Sequence, residues 1–458
     1  MTSPYERPKP HEAGDGLSQL TDLMQHEQVI ERPAPEPVDP DVRRSRRRRR
    51  LIVGGISAVV IIGLTVSYVT YCLNAPVGAA QATSAVPEVT SPAPAAIAVS
   101  PEGASAVSIL GADEYLGPTA TGIWQSSGGD EARPIASISK LITAMVILEA
   151  KPLKNADDPG PTITFSKADH KLYDKYYVLG ATIAKMETGS SMSEHDALEA
   201  MLVPSASNYA EAVAGWAFGS QSAFIRAANT WLKANGMAHT TMVEPTGIDA
   251  RNTSTPSDLI TLAKLAAADP VIAQISAMPY LQIPEFEQMP NTNDLLGSNG
   301  ITGLKTGTLK DSGSDLLFTA TLSPGTMAPL TVFGVVLGGY SHSSVNADVN
   351  DLLSSIAAGF HDVALAEEGQ VVGTYTTPWG ESAQMVLGQN ASVFTWSDTP
   401  ITSTIETTTL TTGANGEQVG TVTWTAGPST ETVPVVLAGA ITPPTAWWRL
   451  THPAELGK

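Results

Sequence analysis

The feature that most restricts this chain is a run of basic residues set directly against an uncharged one. Arg43-Arg44-Ser45-Arg46-Arg47-Arg48-Arg49-Arg50 abuts Leu51–Cys72, 22 residues without a charged side chain. As an α-helix such a stretch rises about 1.5 Å per residue and reaches across a hydrocarbon core of about 30 Å. A bilayer offers no water to backbone polar groups, so a single span must satisfy them internally, as a helix. Seven arginines on the N-terminal flank hold that end on the cytoplasmic side and send the rest of the chain outward. The alternative is a cleaved secretory signal, with Val77-Gly78-Ala79 as the cleavage site. The apolar region of such a signal runs about 7–15 residues, and this one is longer, so an uncleaved anchor is expected.

Around that span the composition sorts the rest. Residues 1–50 carry ten basic and nine acidic side chains, and the formal net charge is −19, so the part beyond residue 50 carries −20. Phosphate backbones bind basic footprints, so an acidic surface excludes nucleic acid as a partner. Cys72 is the single cysteine, which rules out an intramolecular disulfide. Val69-Thr70-Tyr71 before it lacks the small residues expected ahead of a lipid-modified cysteine. Residues 1–50 therefore read as a disordered cytoplasmic tail, 51–72 as the transmembrane helix and 73–97, rich in Ala, Pro, Ser and Thr, as an extracytoplasmic linker.

The remainder predicts an α+β domain over 98–365 followed by a β-rich domain over 366–458. Ala106–Leu110 reads as a strand, and helices are expected over Ile135–Ala150, His195–Phe218, Gln221–Asn235, Pro256–Ala268 and Val345–Val363. Leu316–Leu322 and Leu330–Leu337 flank Ser323-Pro324-Gly325 as a hairpin would. Strands at both ends with helices between predict an antiparallel sheet whose first and last strands meet, carrying a helical cluster. Beyond Gly369, short Val/Thr-rich runs between Gly, Asn and Pro read as a small all-β domain with no arrangement that suggests chemistry.

Three motifs do suggest chemistry. Ser137-Ile138-Ser139-Lys140 opens an apolar helical run, and three residues apart on a helix means one face. Burial would lower the Lys140 pKa and supply a neutral amine to take the Ser137 proton. Free N–H groups at a helix start would stabilise an oxyanion. Lys305-Thr306-Gly307-Thr308 falls on an expected strand, where a lysine and hydroxyls suit a carboxylate and Gly307 admits a close backbone. Either motif alone is common; in this order, each on its expected element, the pair carries weight. The third stretch, Pro204-Ser205-Ala206-Ser207-Asn208, sits after an apolar helix, where ordinary helix capping is the plain alternative.

With these residues in view, the chain resembles the D-alanyl-D-alanine carboxypeptidases, low-molecular-mass penicillin-binding proteins of the penicillin-binding/β-lactamase superfamily. Arg133–Ala144 resembles the family's stretch around its nucleophile, Glu244-Pro245-Thr246-Gly247-Ile248-Asp249 its Asn/Asp-Pro-x-Gly-Leu turn, and Ile301–Gly307 its approach to Lys-Thr-Gly. The resemblance covers roughly residues 99–365. It implies a β-lactamase/transpeptidase-like sheet and acyl transfer without a cofactor. Ser137 would be the nucleophile, Lys140 its base and Ser205 a proton relay. Ser207, Lys305, Thr306, Gly307 and Thr308 would bind substrate. Implied partners are peptidoglycan stem peptides ending in D-Ala–D-Ala, β-lactams as acylating inhibitors, and the cell membrane. The departure lies in the third motif: Ser205 matches the family's serine, Ser207 stands where asparagine is usual, and Asn208 comes one position late.

Two related readings stay beside it. A serine β-lactamase shares the fold and needs a deacylating base, commonly a Glu followed four residues later by Asn: after Glu244 position 248 is Ile, and Glu287 with Asn291 has the spacing but lies too close to Lys305. A non-catalytic wall-binding member finds support only in Ser207. A zinc peptidase is a weaker reading still, since the eight histidines show no His-Glu-x-x-His or comparable spacing.

Overall fold

A computed structural model describes residues 40–457 apart from 87, 285 and 326. Helix α1 spans Pro40–Asn74 and is long and apolar enough to cross a membrane. The arginine run, expected as part of a disordered tail, forms its first turns, while residues 1–39 of that expected tail lie outside the described residues.

The far end of α1 packs with residues from the other end of the sequence. Residues 444–458 form one compact unit with the N-terminal segment rather than part of the β-domain to which 366–458 was assigned. The last carbonyls of any helix lack intrahelical donors. Here the Arg449 guanidinium donates to Ala75 O at 2.7 Å and Cys72 O at 3.4 Å. Tyr68 Oη donates to Leu450 O at 2.7 Å, and Cys72, Ala75 and Leu456 bury one another beside Val77 and Trp448.

The second unit, Ala79–Pro443, holds two large sheets besides shorter two-stranded pairings. Strand β1 (Gln81–Ser84) belongs to the later one. The first sheet contains β2 (Ala104–Leu110), β3 (Gln125–Ser127), β4 (Ile301–Leu309), β5 (Gly313–Leu322) and β6 (Leu330–Gly339) in the order β3-β2-β6-β5-β4. As expected, the β5–β6 hairpin turns with Leu322 opposite Leu330, and the first strand meets the last, Ala104 opposite Leu337. Alternate residues face opposite sides of a strand. Leu317, Phe333, Val335 and Leu337 pack on the helical cluster, while Leu316, Phe318, Val332 and Val336 pack under helix His342–Gly359.

Beyond the nucleophile segment, two helices differ from expectation. His195–Phe218 is two helices, Glu194–Leu202 and Ser207–Phe218. Pro204 supplies no N–H to continue the ladder, and Ser205 takes a left-handed φ of 66°. The helix expected over Val345–Val363 ends at Gly359, where a Cβ would stand 2.2 Å from the Trp396 ring. The chain then becomes strand β7 (Phe360–Ala366), paired with β10 (Ala391–Trp396), so the β-rich part begins before residue 366.

The second sheet adds β8 (Val371–Thr376), β9 (Ser382–Leu387), β11 (Ile401–Thr407), β12 (Gln418–Ala426) and β13 (Ser429–Ala438). Its order is β1-β8-β9-β13-β12-β11. Its edge strand β1 comes from the stretch expected to be linker, with Gln81 opposite Thr376.

Candidate active site

The nucleophile candidate lies on a junction rather than inside a helix. Arg133–Pro134 pairs with Thr253–Ser254, Ala136 adopts φ 44°, and a 3₁₀ turn over Ala136–Ile138 leads into helix α2 (Ser139–Ala150). α2 is buried along most of its length, which carries Lys140 inside with 1% exposure. Lys140 Nζ lies 2.8 Å from Ser137 Oγ and 2.8 Å from Thr246 O. Burial brings its pKa down to about 7, against the opposing pull of the Glu244 charge. Near neutral pH the amine is thus partly deprotonated and can accept a proton from the hydroxyl it touches.

The turn that holds Lys140 is itself tightly bonded. Glu244 accepts hydrogen bonds from Thr246 N and Thr246 Oγ1, both at 2.7 Å, from Gly247 N at 2.6 Å and from Asn252 Nδ2 at 3.1 Å. Gly247 has φ 86°, and a Cβ there would fall 1.7 Å from Ala136 O, so only glycine fits against the nucleophile turn. The Glu244 carboxylate is committed to this turn, which removes it as the deacylating base of a β-lactamase.

Lys305, on β4, is 1% exposed and donates to Thr292 Oγ1 at 3.1 Å and Thr306 O at 3.2 Å. Its pKa lies well below the ordinary lysine range, first through burial and then through the Lys140 charge. Thr306 Oγ1 donates to the same Thr292 hydroxyl at 2.6 Å. A Cβ on Gly307 would meet Ala136 Cβ at 2.9 Å and Ile135 O at 3.0 Å, so β4 lies directly against the Ser137 turn. Across from Gly307 on β5 stands Asp315, whose Oδ1 accepts from Gly338 N at 2.8 Å while its buried Oδ2 has no partner. Burial pushes this carboxyl up to about 8.

Ser205 and Ser207 lie in the turn between helices Glu194–Leu202 and Ser207–Phe218, 5% and 2% exposed. The N-cap there is Ala206, without a side-chain cap, so the serines do not perform the capping that their sequence allows. The turn is tied to the Lys305 side by Thr292 N, which donates to Val203 O at 3.3 Å. Asn208 faces another way: its amide donates to Ala184 O at 2.8 Å and accepts from Ala184 N at 3.1 Å. Thr308 is exposed on β4 and touches His342 at 2.6 Å, a residue that no sequence motif had flagged. Thr292 was missed as well; neither falls within any of the three motifs.

A separate group, His195, Asp196 and Glu199, brings ligand-type atoms within 4.8 Å of one another. Protein partners already hold two of them: Glu199 accepts from Gln282 N, and His195 Nε2 lies 3.4 Å from Gln274 Oε1.

The chain that carries this arrangement is similar to known proteins. A model of the D-alanyl-D-alanine carboxypeptidase family matches residues 118–339. The chain is 32% identical over 219 residues to a D-alanyl-D-alanine endopeptidase of Pseudomonas aeruginosa, covering 46% of this chain and 67% of the relative. It is 31% identical over 244 residues to a D-alanyl-D-alanine endopeptidase of Escherichia coli, covering 51% of this chain and 73% of the relative. In fold it is similar to the D-alanyl-D-alanine carboxypeptidase DacD from Francisella tularensis, with a TM-score of 0.51, 18% identity, and coverage of 78% of this chain and 98% of that one. On these grounds the chain belongs to the D-alanyl-D-alanine carboxypeptidase family.

Proposed function

We propose that this protein is a serine D,D-carboxypeptidase that removes the terminal D-alanine from peptidoglycan stem peptides through an acyl-enzyme on Ser137. The observation that carries the reading is the 2.8 Å contact between Ser137 Oγ and a buried Lys140 amine. In the forward step Lys140 takes the Ser137 proton as Oγ bonds to the carbonyl carbon of the penultimate D-alanine. The N–H groups of Ser137 and Thr308 receive the oxyanion. Ser205, beside Lys305, relays the proton held by Lys140 to the departing amine as the C–N bond breaks, which leaves Lys140 neutral again. Water, deprotonated by the same lysine, then attacks the ester and frees Ser137. Lys305, Thr306 and Thr308 hold the terminal carboxylate, Gly307 lets the substrate backbone approach, and Ser207 positions the peptide. No cofactor is required. β-Lactams, which present a strained amide to the same nucleophile, acylate Ser137.

Helix α1 anchors the protein in the cell membrane, with its arginine-rich end in the cytoplasm and residues 98–365 outside, where the substrate is. The charge asymmetry about the span supports that orientation.

A second reading, cleavage of D-alanyl cross-links, is favoured by the names of the two relatives above. The full-length protein in detergent, given a monomeric muropeptide ending in D-Ala–D-Ala and a cross-linked dimer, separates the two. Free D-alanine from the monomer supports the carboxypeptidase. Monomer released from the dimer without free D-alanine replaces it with the endopeptidase.

A further inference from the structure

We propose that His342 is a positioning residue for Thr308, fixing its hydroxyl as a hydrogen-bond donor toward an acceptor on the substrate. The inference rests on the reading that Thr308 faces the terminal carboxylate, and it deepens that reading by naming what sets the selectivity.

The argument is a count of protons. Thr308 Oγ1 lies 2.8 Å from Gly307 O and 2.6 Å from His342 Nε2. A hydroxyl has one proton to give, and a carbonyl oxygen can only accept. If the Thr308 proton points at Gly307 O, the contact with the ring must run the other way, from His342 Nε2–H to Thr308 Oγ1. The histidine then holds the oxygen in place without consuming its proton. When a carboxylate arrives, the Thr308 proton rotates from Gly307 O to the incoming oxygen while the ring keeps Oγ1 fixed. A hydroxyl that donated to the ring would have nothing left for substrate.

The base of the ring is well secured. His342 opens helix His342–Gly359, where Ser341 and Ser344 form a capping box. Glu102 Oε2 accepts from Tyr340 N at 2.8 Å and from Ser344 Oγ at 3.1 Å, locking the strand-to-helix corner on either side of His342. Between Lys264 and Arg449 the only lysines or arginines are Lys305 and Lys310, and Lys305 is already bonded to Thr292 and Thr306. With no guanidinium in that stretch of chain to grip a carboxylate bidentately, an oriented hydroxyl carries more of the discrimination.

The test uses the full-length protein in detergent and one peptide ending in D-Ala–D-Ala, as free acid and as C-terminal carboxamide. His342→Ala should lower kcat/KM for the free acid about three- to tenfold, mainly through KM, and for the carboxamide by less than about twofold. His342→Gln, whose amide N–H reaches the same place, should restore most of the loss. In a Thr308→Val background neither substitution should do anything further. Equal losses on both peptides, no loss on either, or failure of glutamine to rescue overturns the assignment. Should the wild type cleave neither peptide, the carboxypeptidase reading falls instead. Acylation by a penicillin and by its methyl ester then decides the role of His342: an acid-to-ester rate ratio unchanged in His342→Ala overturns it.

Discussion

The two sheets of the larger unit share an antiparallel build but bury different chemistry. Around the first sheet and its helices lie all six charged residues that are buried among the described ones: Lys140, Glu194, Glu199, Asp258, Lys305 and Asp315. Between Phe360 and Pro443 no charged side chain among the described residues is buried; the buried polar residues are Thr377, Thr395, Ser397 and Thr399, beside the polar ring atoms of Tyr375 and Trp424. Burying a charge costs several kcal/mol unless its partners are good. Asp258 shows a structural use, accepting from His239 N at 2.9 Å and Thr240 Oγ1 at 2.8 Å. The two lysines differ, because one of them touches a half-buried serine and both are held toward the neutral amine. The contrast separates a scaffold that stabilises by apolar packing from one that gives up stability to hold reactive groups.

The largest effect that would break this contrast is at Ser137 and Lys140. Ser137→Ala should abolish the covalent penicillin adduct, read as intact mass. Lys140→Ala should slow acylation by roughly 10³-fold, within the range of a lost general base. With the wild type, acylation should rise with pH through about 7, because the neutral Lys140 amine is the reactive form and its pKa is lowered to that region. A rate that stays flat from pH 5.5 to pH 8.5, to within about twofold over that span, would remove Lys140 as the base.

In the second sheet the equivalent substitution should behave in the opposite way. Trp424 is fully buried on β12 among Val422, Val433 and Val435. Trp424→Ala should cost about 3–5 kcal/mol of stability by the cavity it leaves. Acylation by penicillin, corrected for the folded fraction, should stay within about twofold of wild type, the scale expected where no transition-state contact is lost. A selective loss of acylation in folded protein would show that the β-module takes part in chemistry.

How far the sequence showed this division depends on the range of each contact. Ser137 and Lys140 were legible because three residues of separation fix their meeting, although the junction that presents them is a 3₁₀ turn and not one helix. Lys305 and Gly307 were legible from their strand setting. The break at Pro204 left a signal in the chain, but the apolar period on both sides concealed it. Other features depend on residues far apart in sequence, with nothing local to reveal them. Gln81–Ser84 is a strand only because Val371–Thr376 offers it an edge, and Arg449 caps a helix that ends nearly four hundred residues earlier. His342 on Thr308 is of the same kind.

Asp315 gives a smaller, pH-dependent effect within the first sheet. Its folded-state pKa of about 8 lies above the unfolded value near 4, so the folded protein retains a proton that the unfolded chain releases. Stability is therefore unaffected by this group below about pH 4 and falls as pH rises toward 8, by at most about 1.4 kcal/mol per pH unit. Asp315→Asn keeps an oxygen for Gly338 N and removes the charge. Its melting temperature should exceed wild type more at pH 8.5 than at pH 5, and a difference that is constant or reversed in sign would show that Asp315 is not held protonated.

The smallest expected effect concerns the third motif, where two residues compete for one role. By the resemblance drawn from the sequence, Ser207 would take the place of the family's usual asparagine, and Asn208 follows it. The geometry argues against Asn208 as the substitute. Both ends of its amide are bonded to the Ala184 backbone in a fully buried setting, so turning it toward substrate would leave two buried polar groups unpaired. Asn208→Ala should then act on the fold, costing about 1–3 kcal/mol, with kcat per folded molecule little changed. Ser207 opens the helix, its N–H donating to Thr182 O at 2.8 Å, and its short side chain offers one proton. An asparagine there presents a carbonyl and an NH₂ together. Ser207→Asn should therefore raise turnover of a D-Ala–D-Ala peptide by about two- to tenfold, the value of one positioning hydrogen bond at ~1.4 kcal/mol per decade. If Ser207→Asn changes nothing while Asn208→Ala abolishes turnover in a protein of unchanged stability, Asn208 must leave Ala184 during catalysis. The segment around Ala184 would then be a moving part of the site rather than its wall.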